Sequence, residues 1–422
     1  MVRRPLAILL WLACGCSTAR AYSVLTHEAV IDSAWEQYIK PALLARFPQS
    51  TPEDLIKAHA YAYGGCIIQD MGYYPFGSHL FSDLTHYVRS GDFVENMLRD
   101  SQDLNEYAFA MGTLAHYAGD TIGHPEAVNA SVGLLYPKLR SRYGKEVTYT
   151  DDPAAHLKTE FGFDVVQVAN HVYAPDAYHA FIGFEVSKPL LDRGFFDTYG
   201  IHLNDVFSDL DLALGTYRRS VANILPAMTK AAWSAKKKDI VRLTPGMTRR
   251  RFIYIISRSS YRKEWGRNYE QPGFWARFWA FLFKLIPKIG PFRAFAFTAP
   301  TPQTEQLFMK SFEGAFNQFR ENIAESRQNR LHLKNENLDV GKPTVPATYN
   351  LADRAYATLL DKSAQKQFAG MNAAMRSAIL AYYDNLNLDF ATKKKPKDWE
   401  KTMAELQALR NATLGAAAAG TP

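Results

Sequence analysis

Apolar residues recur at helical spacing through most of residues 22–240, and strand-like alternation is scarce, so this part of the chain reads as all-α. Thr51-Pro52-Glu53-Asp54 predicts a helix start: a hydroxyl cap, proline at the first position and acids in the first turn. Asp103–Asp120 is a long apolar-rich stretch without proline, and Ala154–Val168 and Leu203–Lys230 carry the same period. Pro125–Thr150 reads as a long connection, with Tyr149-Thr150-Asp151-Asp152-Pro153 capping the next helix. Beyond residue 240 the pattern changes. Residues 241–300 are basic and aromatic, and residues 301–422 form a largely helical C-terminal extension, with helices over 350–390 and 396–413 and a frayed tail from Gly415. A polar stretch near 329–349 with two prolines reads as a linker. No internal repeat is visible.

The first residues are of a different kind. Met1–Arg4 is basic, Pro5–Cys16 is apolar, and Ala19-Arg20-Ala21 is a small-residue cleavage signal, so residues 1–21 read as a signal peptide with Tyr22 as the first mature residue. The apolar run is shorter than the ~20 residues that span a bilayer. The expected location is therefore exported: periplasmic, outer-membrane-associated or secreted. Lipidation at Cys16 is the rival reading and would leave no free amine at Tyr22. Arg3, Arg4 and Arg20 carry three of the +7 formal charges, leaving a mild +4 that does not by itself argue for nucleic acid. Hydrophobic residues at 47% and charged residues at 22% exclude a disordered chain and a multi-spanning membrane protein. Of three cysteines only Cys66 lies beyond the leader, so neither an internal disulfide nor a thiolate zinc site is expected.

The candidate chemistry lies in the histidines, seven of which fall within residues 22–164: His27, His59, His79, His86, His116, His124 and His156. His116, Asp120 and His124 stand at i, i+4 and i+8, on one helix face that drifts about 40° per step. Their neighbours Phe109, Met111, Leu114 and Ala115 are apolar, which predicts a buried face. Two imidazoles and a carboxylate buried without a partner are costly, and a metal ion removes that cost. Pro125 is expected to end this helix. His156 and Glu160 repeat the i, i+4 spacing, and Asp164 extends it, leaving Asp164 as an alternative to Glu160. Asp70 and His86 fall in loop-like sequence, and His27 opens the first mature helix. His59, His79, His171, His179, His202 and His332 fit the ligand pattern poorly and read as ordinary core or surface histidines.

These residues resemble the zinc-dependent phospholipase C superfamily, which includes the S1/P1-type nucleases and the N-terminal domain of glycosylphosphatidylinositol-specific phospholipase D. The matching elements are Tyr22 with His27, Asp70, His86-Tyr87-Val88, His116 with Asp120, His124, and His156 with Glu160. The spacing of His116 and His124 is shorter than in the bacterial enzymes and closer to the phospholipase D relative. The resemblance covers roughly residues 22–240. It implies a phospholipase C/P1 nuclease-like helical domain holding three zinc ions. The first would be held by Asp70, His86, His116 and Asp120. The second would be held by His124, His156 and Glu160, and the third by the Tyr22 amine and carbonyl, His27 and Asp120. All are nitrogen or oxygen donors, which suits catalytic zinc. The implied activity is phosphodiester hydrolysis by a metal-activated water, with Asp70 as the candidate general base.

The metals alone do not choose the substrate. Residues 274–297 interleave aromatics, among them Trp275, Trp279 and Phe283, with Arg277, Lys284, Lys288 and Arg293, a pattern that suits peripheral contact with a lipid interface. The expected substrate is therefore a phospholipid. A single-strand nuclease, whose aromatics would stack on bases, is the alternative. A metal-binding, membrane-associated protein without catalysis is a third reading. Aromatics that simply fill a core between helical lobes would explain the same segment.

Overall fold

The Thr51 cap forms as its chemistry requires: the hydroxyl accepts from Asp54 N at 3.2 Å, and the Asp54 carboxylate accepts in return from Thr51 N at 2.9 Å. This is a computed structural model, and it describes residues 24–170, 184–221, 233, 237, 238, 241 and 298–412, without the side chains of 165–170. Tyr22, Trp275, Trp279 and Phe283, and with them the leader and the aromatic segment, lie outside the described residues.

The described chain is all-α. The elements that position the site are α1 (Val24–Ala34), α2 (Pro52–Ile68), α3 (His79–Tyr87), α4 (Ser90–Asp100), α5 (Leu104–Gly123), α6 (Pro153–Asn170) and α7 (Lys188–Tyr199). The extension adds α8 (Pro302–Arg327), α9 (Asn350–Gln365), α10 (Ala373–Tyr382) and α11 (Pro396–Asn411). Among the described residues the β-structure is one antiparallel hairpin, β1 (Glu336–Asn337) with β2 (Lys342–Pro343), Glu336 opposite Pro343. No helix among the described residues is long and apolar enough to cross a membrane.

Helix α5 is the axis of the fold. Asp103 caps it by accepting from Glu106 N at 2.9 Å. From Glu106 to Asp120 every residue is buried, because α2 packs on one side, α8 on another, and α1 and α4 close the rest. The α2–α5 contact is close enough to need glycine on both sides. A Cβ on Gly65 would stand 1.9 Å from Phe109 O, and one on Gly112 would stand 2.2 Å from Ala62 O. Backbone therefore meets backbone, and Cys66 O comes within reach of α5 side chains.

Several expectations need correction. Pro125 does not end the helical run. It lacks the N–H that Thr121 O would receive, and the chain takes a wide π turn over His124–Val128, closed by Asn129 N to His124 O, before turning helical again. The expected connection over 125–150 thus contains helices at Asn129–Leu135 and Pro137–Tyr143. His86 lies on α3 rather than in a loop, and Asp70 lies on a 3-10 turn, Gln69–Tyr73. The helix expected over 203–230 breaks after Val206 and is helical again over 210–221. That expected over 350–390 breaks where Gln367 and Phe368 adopt positive φ.

Residues 329–349 do more than link. Tyr117 Oη donates to Lys334 O at 2.8 Å, Leu338 N to His86 O at 3.1 Å, and Thr344 Oγ1 to Tyr87 O at 2.8 Å. Two of these contacts use the backbone of the stretch and one the Thr344 hydroxyl.

Gly112→Ala tests the α2–α5 contact. Alanine gains about 1 kcal/mol of helix propensity, but the methyl has no room, so a net loss of about 1–3 kcal/mol in urea unfolding is expected. An unchanged or raised stability would show that the helices need not approach this closely.

Candidate metal centre

Five imidazoles and three carboxylates meet where α1, α3, α5 and α6 converge on the Gln69–Tyr73 turn. His27, Asp70, His86, His116, Asp120, His124, His156 and Glu160 are all buried, none more than 1% exposed. Their donor atoms form three close groups: His27, His116 and Asp120; Asp70, His86 and His116; and His124, His156 and Glu160.

Each ring is aimed by its other nitrogen. His116 Nδ1 donates to Cys66 O at 2.9 Å, the carbonyl delivered by the glycine contact of α2 and α5. His86 Nδ1 donates to Ser82 O at 2.8 Å. Ser82 Oγ also donates to Gln69 O and accepts from Gly72 N at 2.9 Å, which ties the Asp70 turn to α3. His156 Nε2 donates to Asn129 Oδ1 at 2.9 Å, and Asn129 Nδ2 donates to Asp339 O at 2.8 Å. A carbonyl only accepts, so in the neutral form of each of these rings the second nitrogen presents a lone pair to the centre.

What those lone pairs face are further acceptors. His116 Nε2 is 3.1 Å from Asp120 Oδ2 and 3.3 Å from His86 Nε2. His27 Nε2 is 3.3 Å from Asp120 Oδ1, and His86 Nε2 is 3.5 Å from both Asp70 Oδ1 and Asp120 Oδ2. Two donors each about 2.0–2.1 Å from a tetrahedral zinc stand about 3.3 Å apart, so these separations match a shared ion. His156 Nδ1 meets Glu160 Oε1 at 2.7 Å, tighter than that ideal. His124 stacks on His156 with centroids 5.1 Å apart, and both of its ring nitrogens are buried without a hydrogen bond. Both Asp70 oxygens are likewise without one. Buried acceptors that face one another need a cation, and the residues fit one.

The charges follow from these neighbours. Without an ion, burial opposes the Asp120 carboxylate, but the charge of a protonated His116, and then contacts from His116, His27 and His86 in that form, hold it well below the usual carboxylate range. Burial also opposes the His86 cation, but Asp120 and Asp70 outweigh it and raise His86 well above an ordinary imidazole. Burial, then His124, holds His156 well below the usual value, which favours the neutral ring a metal requires.

Asp164 is not part of the cluster. Its Oδ1 accepts from Thr26 N at 3.0 Å and Thr26 Oγ1 at 2.7 Å, and its Oδ2 from Leu25 N at 3.2 Å, so it caps α1, while Glu160 joins His124 and His156. His59 pairs with Asp32 at 3.2 Å and stacks on Trp35, and His79 lies against Tyr73; neither belongs to the three close groups. His202 pairs with Asp192 at 2.8 Å, and His332 is exposed beside Glu95; His171 and His179 lie outside the described residues.

Sequence reasoning passed over Asn129 and the tyrosines Tyr73, Tyr149 and Tyr349 near the centre. The ring of Tyr149 lies 5.8 Å from that of His156, and the ring of Tyr73 lies 5.9 Å from that of His86. Their common residue type gave no signal at any fixed spacing.

A family model described as zinc dependent phospholipase C matches residues 26–209. No curated protein and no solved structure matches the chain significantly.

If a metal holds this centre together, stripping it leaves buried lone pairs facing each other. A chelator should then lower the thermal midpoint and zinc should restore it; zinc at 100 times its Kd adds about 2.7 kcal/mol. A midpoint that ignores both would remove the metal from the account.

Proposed function

Through residues 26–209 the chain belongs to the zinc-dependent phospholipase C family, and from that premise we propose that it is an exported phosphodiester hydrolase acting on phospholipid head groups. The observation that carries the reading is the set of ring nitrogens in His86, His116 and His156. Each is oriented by a carbonyl on its far side and faces carboxylates on its near side. In this reading three zinc ions are bound. Asp70, His86, His116 and Asp120 hold one, and His124, His156 and Glu160 hold the second. His27, Asp120 and the amine and carbonyl of Tyr22 hold the third.

Zinc supplies Lewis acidity, which brings the pKa of a coordinated water toward ~7 and offsets charge building on a phosphoryl group. The protein supplies the rest. Asp120 spans two positions with its two oxygens, Oδ1 toward His27 and Oδ2 toward His116 and His86, and so fixes their separation. Asp70 accepts the proton of the attacking water at a carboxylate oxygen. Burial of all eight side chains excludes bulk solvent from the inner wall and strengthens each electrostatic contact. Trp275, Trp279 and Phe283, with the bases between them, are the proposed contact with the lipid interface, and they favour a lipid over a nucleic acid substrate.

The exported protein should start at Tyr22 by mass spectrometry, carry about three zincs, and hydrolyse a chromogenic phosphocholine ester faster than single-stranded DNA. Asp120→Asn should lower that rate by about 10²–10³-fold. A preference for DNA would shift the reading to a nuclease. Inactivity on both with zinc bound would leave a metal-binding protein without catalysis.

A further inference from the structure

The hairpin of the extension carries a carboxylate into the centre. Asp339 lies 130 residues beyond the end of the matched segment, between β1 and β2, and is 3% exposed. Its Oδ2 accepts from Tyr87 Oη at 2.9 Å and from Tyr349 Oη, while Oδ1 lies 3.9 Å from His124 Nε2 and makes no hydrogen bond among the described residues. The turn is held from several sides. Asp339 N donates to Asn337 Oδ1 at 3.0 Å, and Asn129 Nδ2 donates to Asp339 O at 2.8 Å, the same Asn129 whose Oδ1 aims His156. Gly341 closes the turn at φ +60°, and a Cβ there would stand 2.3 Å from Thr121 O, so only glycine lets the hairpin seat against α5.

His124 thus has a carboxylate oxygen 3.9 Å away on each of two sides, Asp120 from α5 and Asp339 from the extension. Among the described residues Asp339 has no lysine or arginine in ion-pair range; His124 is its one partner of that kind. A carboxylate fixed by two phenols, with its other oxygen turned toward an unpartnered ring nitrogen, is poorly explained as a structural group. It is well explained as part of a cation site.

We propose that Asp339 is a further acidic residue of the His124–His156–Glu160 metal position, so that the C-terminal extension completes the centre rather than following it. The inference rests on the zinc reading given above. It assigns Asp339 a positioning and charge-balancing part at that position, whether it touches the ion or a group held beside it.

The test is zinc affinity, read by competition with a chromogenic chelator on the full chain, with zinc per chain counted in parallel. Asp339→Asn keeps the shape and removes the charge. It should weaken one zinc at least about tenfold and leave the others unchanged. Asp353→Asn is the comparison: Asp353 accepts from Ala347 N, Tyr382 Oη and Ala391 N within the extension, so its loss should lower stability and spare zinc affinity. If Asp339→Asn does not fold, hydrogen exchange of the wild-type chain decides. Zinc should then slow exchange over 336–343 together with 116–128, more than over 396–411. Equal zinc affinity in Asp339→Asn, or a hairpin whose exchange ignores zinc, overturns the inference alone. A wild-type chain that binds no zinc overturns both the proposed function and this inference.

Discussion

The constraint on which everything else depends is the burial of unprotonated nitrogens among carboxylates. Cys66 O, Ser82 O and Asn129 Oδ1 take the one proton from His116, His86 and His156, and leave the facing nitrogens as acceptors inside an apolar core. With the rings neutral, no arrangement of these side chains with one another resolves that, since Asp70, Asp120 and Glu160 are acceptors too; second protons on His86 and His116, which the carboxylates favour, relieve only those rings and leave His156 neutral. A shared cation does, and the 3.1–3.5 Å separations around Asp120 are those of donors on one ion. The centre is therefore strained against itself without metal, and the surrounding helices hold it in place for metal.

The helices can do so because backbone, not side chain, makes the closest contacts. Gly65 against Phe109 O and Gly112 against Ala62 O bring α2 onto α5, and it is this approach that puts the Cys66 carbonyl behind His116. Ser82 performs the equivalent service for the opposite wall, bonding to both Gln69 O and Gly72 N so that Asp70 and His86 cannot separate. Asp164 fastens α1 to α6 with three hydrogen bonds and thereby fixes the depth at which His27 stacks on His116, centroids 4.4 Å apart.

How much of this was legible in the sequence depended on how local each cause is. His116, Asp120 and His124 could be placed because a helix repeats every 3.6 residues and their neighbours are apolar. Glu160 and Asp164 could not be told apart, because both lie on the face of His156. The choice was made by α1, whose first turn needed an acceptor and took Asp164. Asp70 and His86 were found as residues but placed in the wrong element, since their turn and helix are held by a tertiary clamp rather than by propensity. Pro125 read as a stop because sequence rules do not anticipate a π turn. Asp339 gave no signal: one acid in a polar stretch is ordinary until the hairpin folds against His86 and Tyr87.

The spacing of eight between His116 and His124 has a geometric meaning that joins these parts. Each step of four residues turns a helical side chain by about 40°, so His124 points about 80° away from His116, with Asp120 between them. One helix thereby reaches separate groups of close donor atoms, and the middle residue faces both rings, at 3.1 Å from His116 and 3.9 Å from His124. The wide turn at Pro125 then carries the chain aside to Asn129, which aims His156 at Glu160 and binds the backbone of Asp339. Gly341 rests against Thr121 O and the Pro125 ring, which would lie 2.3 and 2.9 Å from a Cβ placed there. The proline that read as a terminator thus forms part of the seat for the hairpin, and the His124–His156–Glu160 group and the extension meet at the same local departure from the α-helix.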